Sequence, residues 1–330
     1  MKPTPHRLVS SLALAALALA TAGGCASKAP SAADRDDGRF IVGYSQSNNA
    51  EPYRAQTNLQ LKHYLKAHPK IKLLPIADAK QNSATQVSQV QQFIQQRVDV
   101  LIVSPTEPAP LTAAVQQACQ VRIPVIILDR TVNTDCHTAF IGGDNYEIGK
   151  KAGEAAVKEL PDGGDVVELR GLLSNQPQID RNKGFNDAIK ANSKIKVIEA
   201  REAKWLKEAA VPIMQQWLSR HKKIDLVYAH NDPMALGAYL AARAQNRQGQ
   251  LKIIGIDGLA IPDGGIRAVQ QGQLATTFVY PTGAKEAVDT LAAIQQGKQV
   301  GKKQTLGTTQ VTKENAKQLY QQYDMSGKAN

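Results

Sequence analysis

Most of the sequence signals that announce catalysis or a membrane span are missing. After the first 25 residues no apolar run is long enough to cross a bilayer. No G-x-G-x-x-G follows a strand-like segment, and there is neither a phosphate-cradling P-loop nor a G-x-S-x-G elbow. The six histidines never fall at a zinc-ligand spacing such as H-E-x-x-H. Carboxylates are present, as a glycosidase would need, but no two are set apart as acid and base. These gaps argue against an enzyme, and neither a cofactor nor a metal is expected. No helical DNA-reading module precedes the α/β pattern, which argues against a transcription regulator. Acidic excess is also lacking: the formal net charge is +11. Lys and Arg are scattered rather than clustered, so the charge reads as a solvated surface and not as a nucleic-acid footprint.

Cysteine is scarce, and each of the three bears on compartment. MKPTPHR carries Lys2 and Arg7, LVSSLALAALALATA is apolar, and AGGC follows. This order reads as a secretory signal peptide. Gly23-Gly24-Cys25 resembles a bacterial lipoprotein cleavage site, in which Cys25 becomes the lipidated first residue. The alternative is cleavage after Ala20-Thr21-Ala22, leaving Cys25 a free thiol. Residues 1–25 are therefore read as signal peptide and lipobox, and 26–38 as a small, polar tether. The expected location is the periplasm, with Cys25 as the sole membrane anchor. Cys119 and Cys136 flank one predicted strand. In an oxidising compartment they either pair as a disulfide or stay separate, with Cys119 buried on a helix.

What the sequence does have is alternation. RFIVGYS, IKLLPIAD, VDVLIVSP, IPVIILDR and TAFIGGDN in the first half are short β-type runs. GDVVELRG, IKVIEA, IDLVYAHND, LKIIGIDG and LATTFVYP follow in the second. Several are continuously apolar, as expected of strands covered on both faces. Segments between them, such as SATQVSQVQQFIQQR, place apolar residues at helical spacing. The fold class is α/β, with two similar doubly wound parallel-sheet lobes. GAKEAVDTLAAIQQGK is placed back on the first lobe, and a last crossing near 305–310 returns the tail to the second. The expected lobes are 39–142 plus 282–305 and 143–281 plus 306–330, joined by a three-crossing hinge.

The strand ends carry the chemistry. They read Ser45-Gln46-Ser47-Asn48, Asp78, Ser104-Pro105-Thr106, Asp129-Arg130, Arg170, His230-Asn231-Asp232 and Asp257-Gly258. In open α/β sheets this is the edge where ligands bind. Carboxylates accept from adjacent hydroxyls, guanidinium donates in a planar fork, and Asn does both. A polyol such as a sugar matches that set. Trp205 and Tyr53 are candidates to cover its C–H face. Bland roles compete: Asp129 and Asp257 as caps, Trp205 as packing, Arg181 as an exposed helix residue. In YAHNDPMALGAY, Asp232 is read as the helix N-cap and Pro233 as the first helical position.

IPVIILDR, DRNKGF, YAHNDPMALGA and IIGIDG, in that order, resemble the periplasmic sugar-binding proteins of ABC importers of the ribose-binding type (type I periplasmic binding proteins). The resemblance spans about residues 39–312. VGYSQSNNAEPYRAQTN looks more like the galactofuranose-binding branch. TAFIGGDNYEIGKKAG and TTFVYPTGAKEA also resemble sugar-sensing domains of hybrid histidine kinases. The resemblance implies that Asp129, Arg130, Arg181, Asn231 and Asp257 hold ring hydroxyls. It implies that Trp205 stacks and that Gln46 and Arg54 contact ligand from the first lobe. Val279-Tyr280-Pro281 departs from the family pattern near the last hinge. The implied function is capture of a monosaccharide, hexose or pentose, and delivery to a membrane permease. The alternative is signalling to a histidine kinase or chemoreceptor. A monomer is implied. Asp129→Ala and Asp257→Ala are each expected to weaken sugar binding without unfolding the protein.

Overall fold

The computed structural model describes residues 38–328. The leader and Cys25 lie outside the described residues, as does the tether except Gly38. The first sheet is built from β1 (Phe40–Gln46), β2 (Ile71–Leu73), β3 (Ala77–Asp78), β4 (Val100–Ser104), β5 (Val125–Leu128) and β6 (Ala139–Gly143). Helices α1 (Pro52–Leu65), α2 (Ser83–Gln95) and α3 (Pro108–Gln120) connect them. The second part runs α4 (Asn145–Glu159), β7 (Gly164–Arg170), α5 (Gln176–Ile189), β8 (Ile195–Glu202), α6 (Lys207–Arg220) and β9 (Leu226–Ala229). It continues through α7 (Asp232–Ala244), β10 (Lys252–Ile254), α8 (Gly265–Gln270) and β11 (Thr277–Val279). Then come α9 (Ala284–Gln295), β12 (Lys303–Leu306), β13 (Thr309–Val311) and α10 (Ala316–Tyr323).

The first sheet has the order β12-β6-β5-β4-β1-β2, with β3 also paired to β1, and the second has β10-β9-β7-β8. All pairings within both are parallel. Every residue of β4 and β5 is buried, because helices cover both faces. Alternation then splits each strand between two cores. Val100, Ile102, Ile126 and Leu128 pack with residues of α1 and α9, while Leu101, Val103, Val125 and Ile127 pack with α2 and α3. The second sheet divides likewise, Val167, Leu169 and Val227 facing α6 and α7, and Val166, Leu226 and Tyr228 facing α4 and α5.

Two of the expected strands come out differently. IKLLPIAD is broken into β2 and β3, because Pro75 has no N–H for the ladder. LATTFVYP yields β11, which pairs antiparallel with β13 and touches the β10 edge only through isolated bridges. The chain passes between the sheets at 143–145, 280–283 and 307–308.

Helices α4 and α5 are brought into backbone contact by glycine. A Cβ on Gly149 would lie 2.2 Å from the Arg181 carbonyl oxygen, and one on Gly184 would lie 2.1 Å from that of Tyr146. Any larger residue would push α5 outward and carry Arg181 with it.

Cys119, at the end of α3, is bonded to Cys136 in the β5–β6 connection, with Cα atoms 6.1 Å apart. The bridge tethers the connection that begins with Asp129 and Arg130. A sequence separation of 17 residues sets the loop-closure contribution at about 3 kcal/mol. The Cys119→Ser/Cys136→Ser variant is therefore expected to lose roughly that much stability in urea titration. A loss below about 0.5 kcal/mol would contradict this role.

Candidate functional site

The strand ends of both sheets converge on one cavity between the lobes. Tyr53 and Arg54 come from the first turn of α1, Asp129 and Arg130 from the end of β5, and Arg181 from α5. Trp205 precedes α6, Asn231 follows β9, and Asp257 follows β10. Glu51, Pro177 and Tyr280 complete the lining. The cavity holds about 310 Å³ of empty space, part of it open to solvent. The lobes are closed over it: Arg54, Arg130, Arg181, Asn231 and Asp257 are each at most 4 % exposed.

Gln46 is the expected contact that does not line this cavity. Tyr44 and Gln46 share one face of β1, and that face turns toward α1. The Tyr44 hydroxyl donates to Gln46 Oε1, and Gln46 Nε2 donates to Asn49 Oδ1 (2.8 Å) and Asn58 Oδ1 (2.7 Å). Its amide is thus committed to holding α1 on the sheet. Glu51 is the carboxylate that reaches the cavity from this loop instead. Asn48 Oδ1 accepts from the N–H groups of Ala50 and Glu51, and Asn48 Nδ2 donates to Glu51 Oε1 at 2.6 Å. This local turn rotates Glu51 inward, 3.8 Å from both Arg54 and Arg130.

Asp129 is the hub of the first-lobe side. It accepts from Arg54 Nη2 (2.6 Å) and from the Tyr280 hydroxyl (2.9 Å). Burial alone would raise its pKa, but Arg54, then Arg130, and the Tyr280 hydrogen bond hold it below the usual carboxylate range. Arg130 makes only long contacts, to the Pro105 and Thr106 carbonyls at 3.4 and 3.3 Å. Burial, and then the neighbouring Arg54 charge, lower its pKa to about 10.

Asp257 is the opposite case. Its Oδ2 is buried with no hydrogen-bond partner. Burial and then the nearby Asp232 push its pKa well above normal, with Arg181 opposing. Asp232 is also buried, but its carboxylate accepts from Gly258 N–H (2.7 Å) and from the Thr277 hydroxyl (2.6 Å). Of this coupled pair, Asp257 holds its proton longer, since Asp232 has its negative charge solvated by donors. The same geometry corrects the cap of α7. Asn231, not Asp232, is the N-cap, its Oδ1 accepting from Met234 N–H at 3.1 Å. Asp232 is the first helical residue, because its carboxylate is drawn away to the β10 and β11 loops. Asn231 Nδ2 meanwhile donates to the Trp205 carbonyl at 3.0 Å.

Trp205 both packs and lines. It belongs to the α6–α7 core and faces the cavity, 5 % exposed. Arg181 lies over its ring at 5.5 Å and over that of Tyr280 at 4.6 Å. Arg181 is far from exposed: Nε donates to Asn145 and Nη1 to the His230 carbonyl. Tyr280, which sits in a hinge crossing, also accepts from Asn145 Nδ2 at 3.2 Å. Asp129 (φ 69°), Trp205 (φ 70°) and Asp257 (φ 134°) all have left-handed backbone conformations. Strain at non-glycine residues costs on the order of 1–3 kcal/mol each and concentrates at functional sites. Three guanidinium groups face three carboxyl groups in the lining. Among the described residues no cluster of His, Cys, Asp and Glu could hold a metal, and no helix is long and apolar enough to cross a membrane.

A family model described as a periplasmic binding protein domain matches residues 42–299. The chain belongs to that family. This periplasmic binding protein is 32 % identical to the ribose import binding protein RbsB of Escherichia coli (strain K12) over 244 residues, 73 % of this chain and 80 % of the other. It is 31 % identical to the galactofuranose-binding protein YtfQ of the same organism over 278 residues, 81 % and 86 % of the two chains. Among solved structures it resembles the fructose binding periplasmic domain of a hybrid two component system at 35 % identity. That match has a TM-score of 0.83 and covers 86 % of this chain and 94 % of the other.

Proposed function

We propose that this protein captures a monosaccharide in the interlobe cavity and delivers it to an ABC sugar importer. The observation that carries this reading is the cavity's unspent valence. Asp257 Oδ2 lacks a donor and Arg54 Nε lacks an acceptor. Adjacent hydroxyl groups on a ring supply both, and Trp205 and Tyr53 supply apolar faces for the C–H surface. Similarity to ribose- and galactofuranose-binding proteins supports a pentose or a hexose, the latter in furanose form. The protein acts by hinge closure and without a chemical step. Ligand touching both lobes favours the closed state, and the closed form is what a membrane permease reads. The N-terminal leader exports the chain to the periplasm, where Cys25 carries its lipid anchor.

A sensory role is the second reading, favoured by the likeness to the fructose binding domain of a two component system. Pull-down from membranes separates them: a permease supports import, a kinase supports sensing. The ligand reading is tested by thermal shift on protein lacking its leader, against pentoses, hexoses and non-sugars. One narrow sugar hit, worth about 2.7 kcal/mol at a hundred times its dissociation constant, is expected. No shift with any sugar on folded, ligand-free protein removes the reading.

A further inference from the structure

Asn175 occupies the N-cap of α5, yet its side chain makes no cap hydrogen bond. Asparagine is among the best residues at that position because its oxygen accepts from the first turn. Here the amide is fully buried and spent elsewhere. Oδ1 accepts from Trp205 Nε1 at 3.2 Å, and Nδ2 donates to the Thr106 carbonyl at 3.0 Å. The first bond stays within the second lobe. The second crosses the cleft to the segment that follows β4.

The acceptor is rigidly presented. Gln86 Oε1 accepts from both the N–H (2.7 Å) and the hydroxyl (2.8 Å) of Thr106, while Gln86 Nε2 donates to the Ser104 carbonyl at 2.9 Å. The same Thr106 carbonyl accepts from Arg130 at 3.3 Å. One carbonyl thus joins a first-lobe cavity residue to a second-lobe amide, and that amide holds the indole that walls the cavity. Pro177 and Arg181, on the helix that Asn175 opens, face the same space.

We infer that Asn175 is a positioning residue that latches the closed cleft, coupling the seat of Trp205 to Thr106 of the opposite lobe. This rests on the hinge-closure reading and adds to it. Asn175 does not line the cavity. The Thr106 bond exists only when the lobes meet, so its loss raises the energy of the closed state alone. An open–closed equilibrium shifts by the differential interaction free energy of the two states.

Asn175→Asp separates latch from scaffold. An ionised carboxylate still accepts from Trp205 Nε1, but it cannot donate to Thr106 and repels that carbonyl. Asn175→Ala removes both bonds, and circular dichroism checks that each variant folds. Small-angle scattering reports lobe closure for wild type and variants, alone and with D-ribose, D-fructose, D-galactose, L-arabinose or myo-inositol in excess. Stopped-flow fluorescence reports release of any sugar that binds. Asn175→Asp is expected to shift the ensemble toward open and to speed release about tenfold, the worth of one buried hydrogen bond. Closure and release equal to wild type would show a purely structural residue and overturn the latch. So would a wild type that never closes under any condition, because the bond would then not form in solution. Closure without any of these sugars binding would fault the ligand reading while leaving the latch intact.

Discussion

Asp257→Asn should melt later than wild type at about pH 8 and bind sugar about 100-fold more weakly. Both effects follow from one unpartnered oxygen. The carboxyl has a higher pKa folded than unfolded, because burial and the Asp232 charge disfavour its ionisation. The folded state therefore holds the proton more tightly, and the group favours folding at low pH. That contribution fades as pH rises from about 3.9, the unfolded value, through the raised folded one. Above the unfolded value, folding must either take up a proton at this carboxyl or bury its charge, and both are unfavourable. Asn keeps the shape and removes the charge, so the ligand-free melting temperature should rise by roughly 2–4 °C. The gap between variant and wild type should close as pH falls toward about 4. The groups acting on this carboxyl are Asp232 on α7, Arg181 on α5, Glu51 before α1 and Asp129 after β5. Binding suffers because a ring hydroxyl that donated to the carboxylate now meets a weaker acceptor. Scanning calorimetry across pH, with titration calorimetry of a bound sugar, checks both halves. An unchanged or lower melting temperature at about pH 8 would mean Asp257 is not strained in the way described.

Asp129→Ala should do the reverse to stability. The same residue type faces the same cavity, but this carboxylate is paired: Arg54 lies at 2.6 Å and the Tyr280 hydroxyl at 2.9 Å. Removing it leaves Arg54 and Arg130 buried beside each other with Glu51 at 3.8 Å from each. Breaking one side of a buried ion pair costs about 3–5 kcal/mol. The variant is expected to lose about that much in denaturant titration, and sugar binding with it. The variant is expected to weaken sugar binding without unfolding the protein, and the pairing of Asp129 adds this stability cost to that expectation. Its pH dependence has the opposite sign to that of Asp257. The folded pKa is depressed, so the contribution is present above the unfolded value of about 3.9 and is lost as pH falls through the folded one. A loss under about 1 kcal/mol would show that Arg54 and Arg130 relax to water.

The α/β class was readable because both-face burial leaves uninterrupted runs such as VLIVS and VIIL, which few other structures need. The residues at strand ends were readable for a related reason. A carboxylate or guanidinium closing such a run has no packing role there. Glu51 carried no such signal. It lies in a loop, and what turns it inward is an Asn48 turn that period-based reading does not see. Gln46 misled for the converse reason: it ends a strand, but on the face that meets α1. Asp232 misled through chemistry, since a good N-capping side chain found better donors across the loop. Tyr280 stood out in sequence only as an unusual residue near a crossing. Its hydroxyl bond to Asp129 depends on two segments about 150 residues apart.

The interleaved topology has a consequence for synthesis. The core shared by β1 and β4 of the first sheet includes Ala284, Ala287, Val288 and Leu291 of α9, and β12 closes that sheet beside β6. The second core includes Val311, Ala316 and Leu319. A chain emerging from the ribosome therefore lacks part of both cores until its final segment is made. At roughly 5–20 residues per second, most of the polypeptide exists for many seconds with neither lobe able to close its interior. A late-completing core keeps a nascent chain pliable, which is the state a secretion channel requires. Conversely, a single cut between α4 and β11 yields no fragment with a whole lobe, so a proteolytic nick there leaves two pieces that are stable only together.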